Sequence, residues 1–337
     1  MRHGALTLAR QVNQQHGDGR MWDVVFCSDM LDLAAWRGLV HPEIAALPAV
    51  IYFHENQLTY PLPAGETRDY HYGYTNITSA FAADAVWYNS AYHRDDFLTA
   101  ADDFLRRMPD FSEEDIVAHV RQKSAVMYPG ITPIGSAGEG RSAGPLHVVM
   151  AARWEADKAP EAFMRVIDAL AESGSPFVFS MLGGDAGDET TLVAFRQRHA
   201  ARCRHWGHLP RATYRQALQD ADVIVSTADH EFFGLSIVEA VSAGCLPLVP
   251  RRLAYPEVLD PSGTRNGFFF DDEAQLAARL KRLCDSVREA PHETVWPVGL
   301  CSPQTCVEPF TWSRRQPEMD SALIAVAGVT QPADIPR

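Results

Sequence analysis

Short runs of β-branched and aromatic residues, each followed by a turn and a stretch of helical period, recur along this chain. That alternation leaves a parallel sheet flanked by helices as the architecture it can build. In the first part, residues 23–27 (DVVFC), 49–53 (AVIYF) and 85–89 (AVWYN) read as buried strands, with helices over 74–83 and 110–123 and a closing strand over 125–128. The second part reads as strand 146–152, helix 160–172, strands 176–182 and 202–206, helix 211–219, strand 222–226, helix 234–243 and strand 245–249. Between them, GSAGEGRSAGP over 135–145 has the composition of a flexible linker. We therefore expect a domain over 1–134, a linker over 135–145, a second domain over 146–308, and over 309–337 an amphipathic helix with a disordered end. A chain of 337 residues is long enough for two such cores.

Bulk properties exclude several classes. A net charge of −13 disfavours broad non-specific nucleic-acid binding, so any RNA contact has to be a local patch. No apolar run approaches the roughly 20 residues of a membrane helix, and no secretory h-region opens the chain. A cytoplasmic protein without a membrane partner is the expectation. The six cysteines follow no zinc spacing and are expected to be free thiols.

In an open α/β sheet, ligands bind beyond the carboxyl ends of the strands, and the unusual residues of this chain cluster there. The segment ADHEFFGLSIVEAVSAG (228–244) carries Glu231 in the loop after one strand and Glu239 eight positions on, inside the next helix. The amides of Phe233, Gly234, Leu235 and Ser236 open that helix and suit a phosphate. Glu239 is placed to accept hydrogen bonds from a ribose diol, and Glu231 from the hydroxyls of a sugar. In AARWEADKAP (151–160), Arg153 ends a strand and Lys158 precedes a helix, so two cations face the same crevice. Fixed cations stabilise the charge that grows on a departing nucleoside diphosphate, in place of a metal. No metal or other cofactor is expected. The one Asp-x-Asp, Asp220-Ala221-Asp222, lies at the wrong end of a strand to hold a diphosphate-bound ion.

On the other side, strand 49–53 runs into His54-Glu55-Asn56-Gln57-Leu58. His54 is a candidate to orient the transferred sugar or the acceptor hydroxyl, and Leu58 rules out a zinc HExxH motif. RDYHYGYTN (68–76) is dense in rings and polar groups, with Tyr72 and Asn76 as candidates beside Glu55 and Asn56. Its aromatics serve either stacking on a base or packing against the following helix.

Arg153, Lys158, Glu231 and Glu239, in that order and spacing, resemble the retaining family 4 glycosyltransferases, which set Arg and Lys on the diphosphate and carry an E-x7-E motif. The resemblance implies a GT-B fold: two Rossmann-like doubly wound parallel-sheet domains facing across a cleft, with a C-terminal helix crossing back to the first. It also implies base contacts in Trp206-Gly207-His208-Leu209. For Gly183-Gly184, diphosphate contact and a plain tight turn both stay open. A closer resemblance lies in YFHENQLTYP, RDYHYGYTNITS and DAVWYNSAYHRDDFL, which look like the tRNA-queuosine mannosyltransferase family. It implies a GDP-mannose donor and transfer of mannose, with retention, to queuosine at the tRNA wobble position. Relative to that family, the strand and loop that precede the MRHGALTLA stretch are expected to be missing, which would leave a sheet edge bare. A lipid or glycan acceptor, or an inactive nucleotide-sugar-binding module, are the alternatives.

Overall fold

The computed structural model describes residues 3–62, 65, 67–108, 114–136, 141–184 and 190–328. Residues 137–140 of the expected linker, residues 110–113 of the helix expected over 110–123, and the end expected to be disordered, 329–337, lie outside the described residues. Contacts divide the chain into two units: Met1–Pro129 together with Arg315–Arg337, and Gly130–Arg314.

The first unit contains α1 (Gly4–Gly17), β1 (Val25–Ser28), α2 (Leu33–Leu39), α3 (Pro42–Ala45), β2 (Ala49–Phe53), α4 (Tyr70–Ala82), β3 (Ala85–Tyr88), α5 (Ala91–Leu105), α6 (Glu114–Gln122) and β4 (Ser124–Val126). Its four strands are parallel and lie in the order β1-β2-β3-β4. Side chains alternate across the strands, so β2 serves two cores. Ile51 and Phe53 pack with Leu33, Ile77 and Phe97 from α2, α4 and α5. Val50 and Tyr52, with Trp87 of β3, face the other way, against Met319, Ala322 and Leu323 of the C-terminal helix. Burial on both faces is why AVIYF has no polar position. Strand β1 lies at one edge of the sheet, and beside it opens a cavity of about 390 Å³ lined by Leu8, Val12, Trp22, Phe26, Met30 and Trp36.

The second unit contains β5 (Leu146–Ala151), α7 (Pro160–Glu172), β6 (Phe177–Leu182), α8 (Thr190–Arg198), β7 (Cys203–Gly207), α9 (Arg211–Gln219), β8 (Val223–Val225), α10 (Leu235–Ala243), β9 (Leu246–Pro250), α11 (Tyr255–Leu259), β10 (Phe269–Phe270), α12 (Glu273–Glu289) and α13 (Pro303–Val307). Helix α14 (Trp312–Ala327) begins in this unit and continues into the first. The sheet is parallel, in the order β10-β9-β8-β5-β6-β7. From β5 the chain winds outward through β6 and β7, then returns to β8 on the other side. The switch point between β5 and β8 is where such sheets bind ligands.

Local chemistry sets the ends of several elements. Helix α4 starts at Tyr70 rather than 74, because the Asp69 carboxylate accepts from the amide of His71 at 3.0 Å and caps it there. Helix α10 starts at Leu235 rather than 234, since Gly234 takes φ 88°, which a helix cannot use. Pro160 opens α7, where its missing N–H costs nothing. Among the described residues no helix is long and apolar enough to cross a membrane.

Candidate active site

Two loops at the β5/β8 switch point are stitched together by the backbone. The carbonyl of Asp157 accepts from the amides of Asp229 and His230, at 2.9 and 3.1 Å. The Thr227 hydroxyl donates to the carbonyls of Lys158 and Ala159, at 3.1 and 2.9 Å. Ala159 takes a left-handed φ of 44°, a strained conformation for a residue with a Cβ that these bonds hold in place.

The stitching brings Lys158 and Glu231 together. The Lys158 ammonium donates to the His230 carbonyl at 2.8 Å and to Glu231 Oε2 at 3.2 Å, and it stands 3.1 Å from Asp157 Oδ2. Burial works against its charge, but Glu231 and Asp157 together outweigh that and hold the ammonium above the usual lysine range. Glu231 Oε1 accepts from three successive amides, Phe232, Phe233 and Gly234, at 3.0 to 3.2 Å. The amides of Phe233 and Gly234 are therefore engaged by a carboxylate of the chain itself. Leu235 and Ser236 follow in the first turn of α10, whose N-cap, Gly234, makes no side-chain cap. Between Lys158, Glu231, Ser236 and Tyr255 lies a cavity of about 10 Å³, room for about one water.

Glu239 sits one turn further along α10, half-buried, and its Oε2 accepts from the Tyr214 hydroxyl of α9 at 3.0 Å. Burial, then the charge of Glu239, push the Tyr214 hydroxyl up, so it stays a donor. Arg153 is more exposed and pairs with Glu155 at 2.9 Å. At the ends of β5, β6 and β7, the Trp154 ring covers Gly184 so closely that an added Cβ would collide with it. Gly183 takes φ 97° against the backbone of Ala152. Both glycines are thus required by close approach of the 152–154 segment. The Trp206 ring stands 4.7 Å from that of Trp154, and His208 is exposed beyond it. Phe233 is buried against Phe310, while Leu235 is exposed. Asp222 of the Asp-x-Asp is taken up by Arg141, at 2.7 and 3.0 Å, at the opposite end of the sheet.

In the first unit, the loop after β2 is built around three buried polar groups. Asn56 Oδ1 accepts from the amides of Leu58 and Thr59, and its Nδ2 donates to Asp96. Asn76 accepts from the amide of Gln57 and donates to the carbonyl of Asp29. Both asparagines are fully buried, so their polar groups hold the loop instead of facing solvent. Asp29, also buried, accepts from the His54 amide at 3.0 Å and stands 3.5 Å from His54 Nδ1. The His54 imidazole lies against Tyr52 and is itself exposed. Glu55 and Tyr72 are half-buried, with Tyr72 edge-on to His71.

Sequence reading missed Asp157, Tyr214, Trp154 and Asp29. Asp29 and Trp154 each follow a strand and could have been flagged by that position. The Asp157 carbonyl, on the Asp229 and His230 amides, and the Tyr214 hydroxyl, on Glu239, act on partners more than twenty residues away, and no local signal marks them.

A profile of the tRNA-queuosine alpha-mannosyltransferase N-terminal region matches residues 1–131, and one of the group 1 glycosyl transferases matches residues 136–293. A tRNA-queuosine alpha-mannosyltransferase of Drosophila melanogaster is 33% identical over 268 residues, which cover 76% of this chain and 70% of that protein. Among solved structures, Anabaena HepE in complex with UDP superposes with a TM-score of 0.65 at 18% identity, covering 96% of this chain and 84% of that one. Sucrose-phosphate synthase of Thermosynechococcus elongatus gives 0.69 at 14%, covering 95% and 76%. At these identities the structures speak for the fold, which is that of the GT-B glycosyltransferases.

Proposed function

The chain belongs to the tRNA-queuosine alpha-mannosyltransferase family, and from that premise we propose that it moves mannose from GDP-mannose to queuosine at the tRNA wobble position with retention of configuration, in the cytoplasm. The observation that carries the donor half is the Lys158–Glu231 pair at the switch point, with Glu239 one turn beyond it. In this reading the diphosphate displaces Glu231 from part of its contact with Lys158. It is then held by Lys158, by Arg153 swung away from Glu155, and by the amides of Leu235 and Ser236. Glu231, still anchored by the Phe232–Gly234 amides, takes hydroxyls of the mannose. Glu239, oriented by Tyr214, takes the ribose diol. The pair of indoles at Trp154 and Trp206, with His208 and Gly184, borders the base and diphosphate.

As the bond from the anomeric carbon to the diphosphate breaks, GDP keeps its electrons, and Lys158 and Arg153 stabilise the charge. A hydroxyl oxygen of the queuosine diol forms the new bond, and its proton leaves on the departing phosphate. In the first unit His54, set by Asp29, orients the reacting groups. Glu55 and Tyr72 contact the acceptor, while Asn56 and Asn76 keep the loop in shape.

The test is transfer of label from radiolabelled GDP-mannose to queuosine-containing tRNA, with UDP-glucose and queuosine-free tRNA as controls. Label with the first pair alone is the expected result. Label passing to a lipid or glycan fraction instead, or donor binding without transfer, would overturn it.

A further inference from the structure

Away from the donor loops, Cys301 and Cys306 place their sulfur atoms 3.0 Å apart, about 1 Å beyond the length of a disulfide bond. We propose that these two thiols are a modification site at which a peroxide forms an intramolecular disulfide, and that the bridge acts on the Glu231–Gly234 turn through Phe310. The two cysteines differ in the way such a reaction needs. Cys306, in α13, is buried, and burial together with its contact to Cys301 pushes its thiol up to about 12. Cys301 is half-buried, and a guanidinium N–H of Arg265 donates to its sulfur at 3.1 Å. Arg265 is itself fixed, through the Leu259 carbonyl and the Asp260 carboxylate. The Trp296 indole holds the Cys301 carbonyl at 3.0 Å. Ser302, Pro303 and Gln304, next in the chain, line a cavity of about 500 Å³.

The chemistry balances with peroxide as the oxidant. The Cys301 sulfur attacks a peroxide oxygen, the O–O bond breaks, and a sulfenic acid forms with loss of one water. The Cys306 sulfur then attacks the Cys301 sulfur, the S–O bond breaks, and the S–S bond forms as a second water leaves with the thiol proton. Closing the gap moves the start of the segment that runs through α13 into residues 308–310. Helix α13 packs along α10, and the Phe310 ring stands edge-on to Phe233 at 5.2 Å. Phe233 lies in the turn whose amides hold Glu231.

The experiment treats the full chain with hydrogen peroxide, counts free thiols after denaturation and maps peptides. Both cysteines fall in one tryptic peptide, 289–314. The expected result is a fall from six thiols to four, with that peptide lighter by two hydrogens. Mannosyl transfer should fall several-fold and recover with dithiothreitol. Cys301→Ser, and separately Cys306→Ala, should keep the untreated rate and lose the response. Retention of six thiols, or oxidation confined to other cysteines, overturns the site. A bridge that leaves the transfer rate unchanged overturns its action on the turn.

Discussion

Three oxygens surround the Lys158 ammonium, and two of them belong to carboxylates, one fully buried. Removing either partner of such a pair therefore has unequal consequences. Lys158→Ala leaves Asp157, which is 3% exposed, beside Glu231 with only the Arg153 guanidinium, 4.0 Å away, to offset its charge. That should cost about 3 kcal/mol or more of stability in addition to activity. Glu231→Gln keeps an acceptor for the Phe232–Gly234 amides while removing the charge. It should leave the fold near wild type and lower transfer by about a hundredfold to a thousandfold. Urea unfolding beside the transfer assay checks both, and equal stability losses in the two variants would contradict this account. Because Lys158 holds its proton more tightly folded than unfolded, its contribution is complete below the usual lysine range. It is lost only as pH climbs through the higher folded value, so Lys158 gives stability no pH dependence near neutrality.

At the scale of the elements, the centre of the second sheet carries a titratable group that the donor chemistry does not use. His147 on β5 is buried. Its Nδ1–H donates to the Asp220 carbonyl at 3.0 Å, and its Nε2 accepts from the Ser180 hydroxyl of β6 at 2.8 Å. Burial first, with Arg204 and His205 adding to it, pushes it down to about 4. Between pH 6.5 and about 4 the unfolded chain binds the proton and the folded sheet does not, so stability is lost as pH falls through that window. The loss should approach about 3 kcal/mol at the acid end. Urea midpoints at pH 7, 5.5 and 4.5 should show it in the wild type and a shallower fall in His147→Gln. Parallel curves for the two proteins would refute the assignment.

At the scale of the whole molecule, the first unit is completed by a segment from the far end of the chain. Met319, Ala322 and Leu323 of α14 cover Val50, Tyr52 and Trp87 on one face of the first sheet. Truncation after Arg314 bares that face, and it should lower the melting temperature of the first unit while leaving the second near its own value. Calorimetry on the truncated chain reads this directly, and two unshifted transitions would show that the helix adds nothing. Much of this architecture was legible beforehand. The strand AVIYF, the helices over 160–172 and 211–219, and the placing of Lys158 and Glu231 after strands follow from apolar period, turn residues and helix-start chemistry, all local properties of the chain. Helix starts shifted where a single side chain or a left-handed glycine decided them, as at Asp69 and Gly234. Only the tertiary structure decided that Asp157 shares Lys158 with Glu231, that Tyr214 orients Glu239, that Asn56 and Asn76 are buried tethers, and that two cysteines in no recognised spacing meet. Hydrogen bonds and sulfur contacts depend on distances between residues brought together by packing, and sequence separation carries no record of those distances.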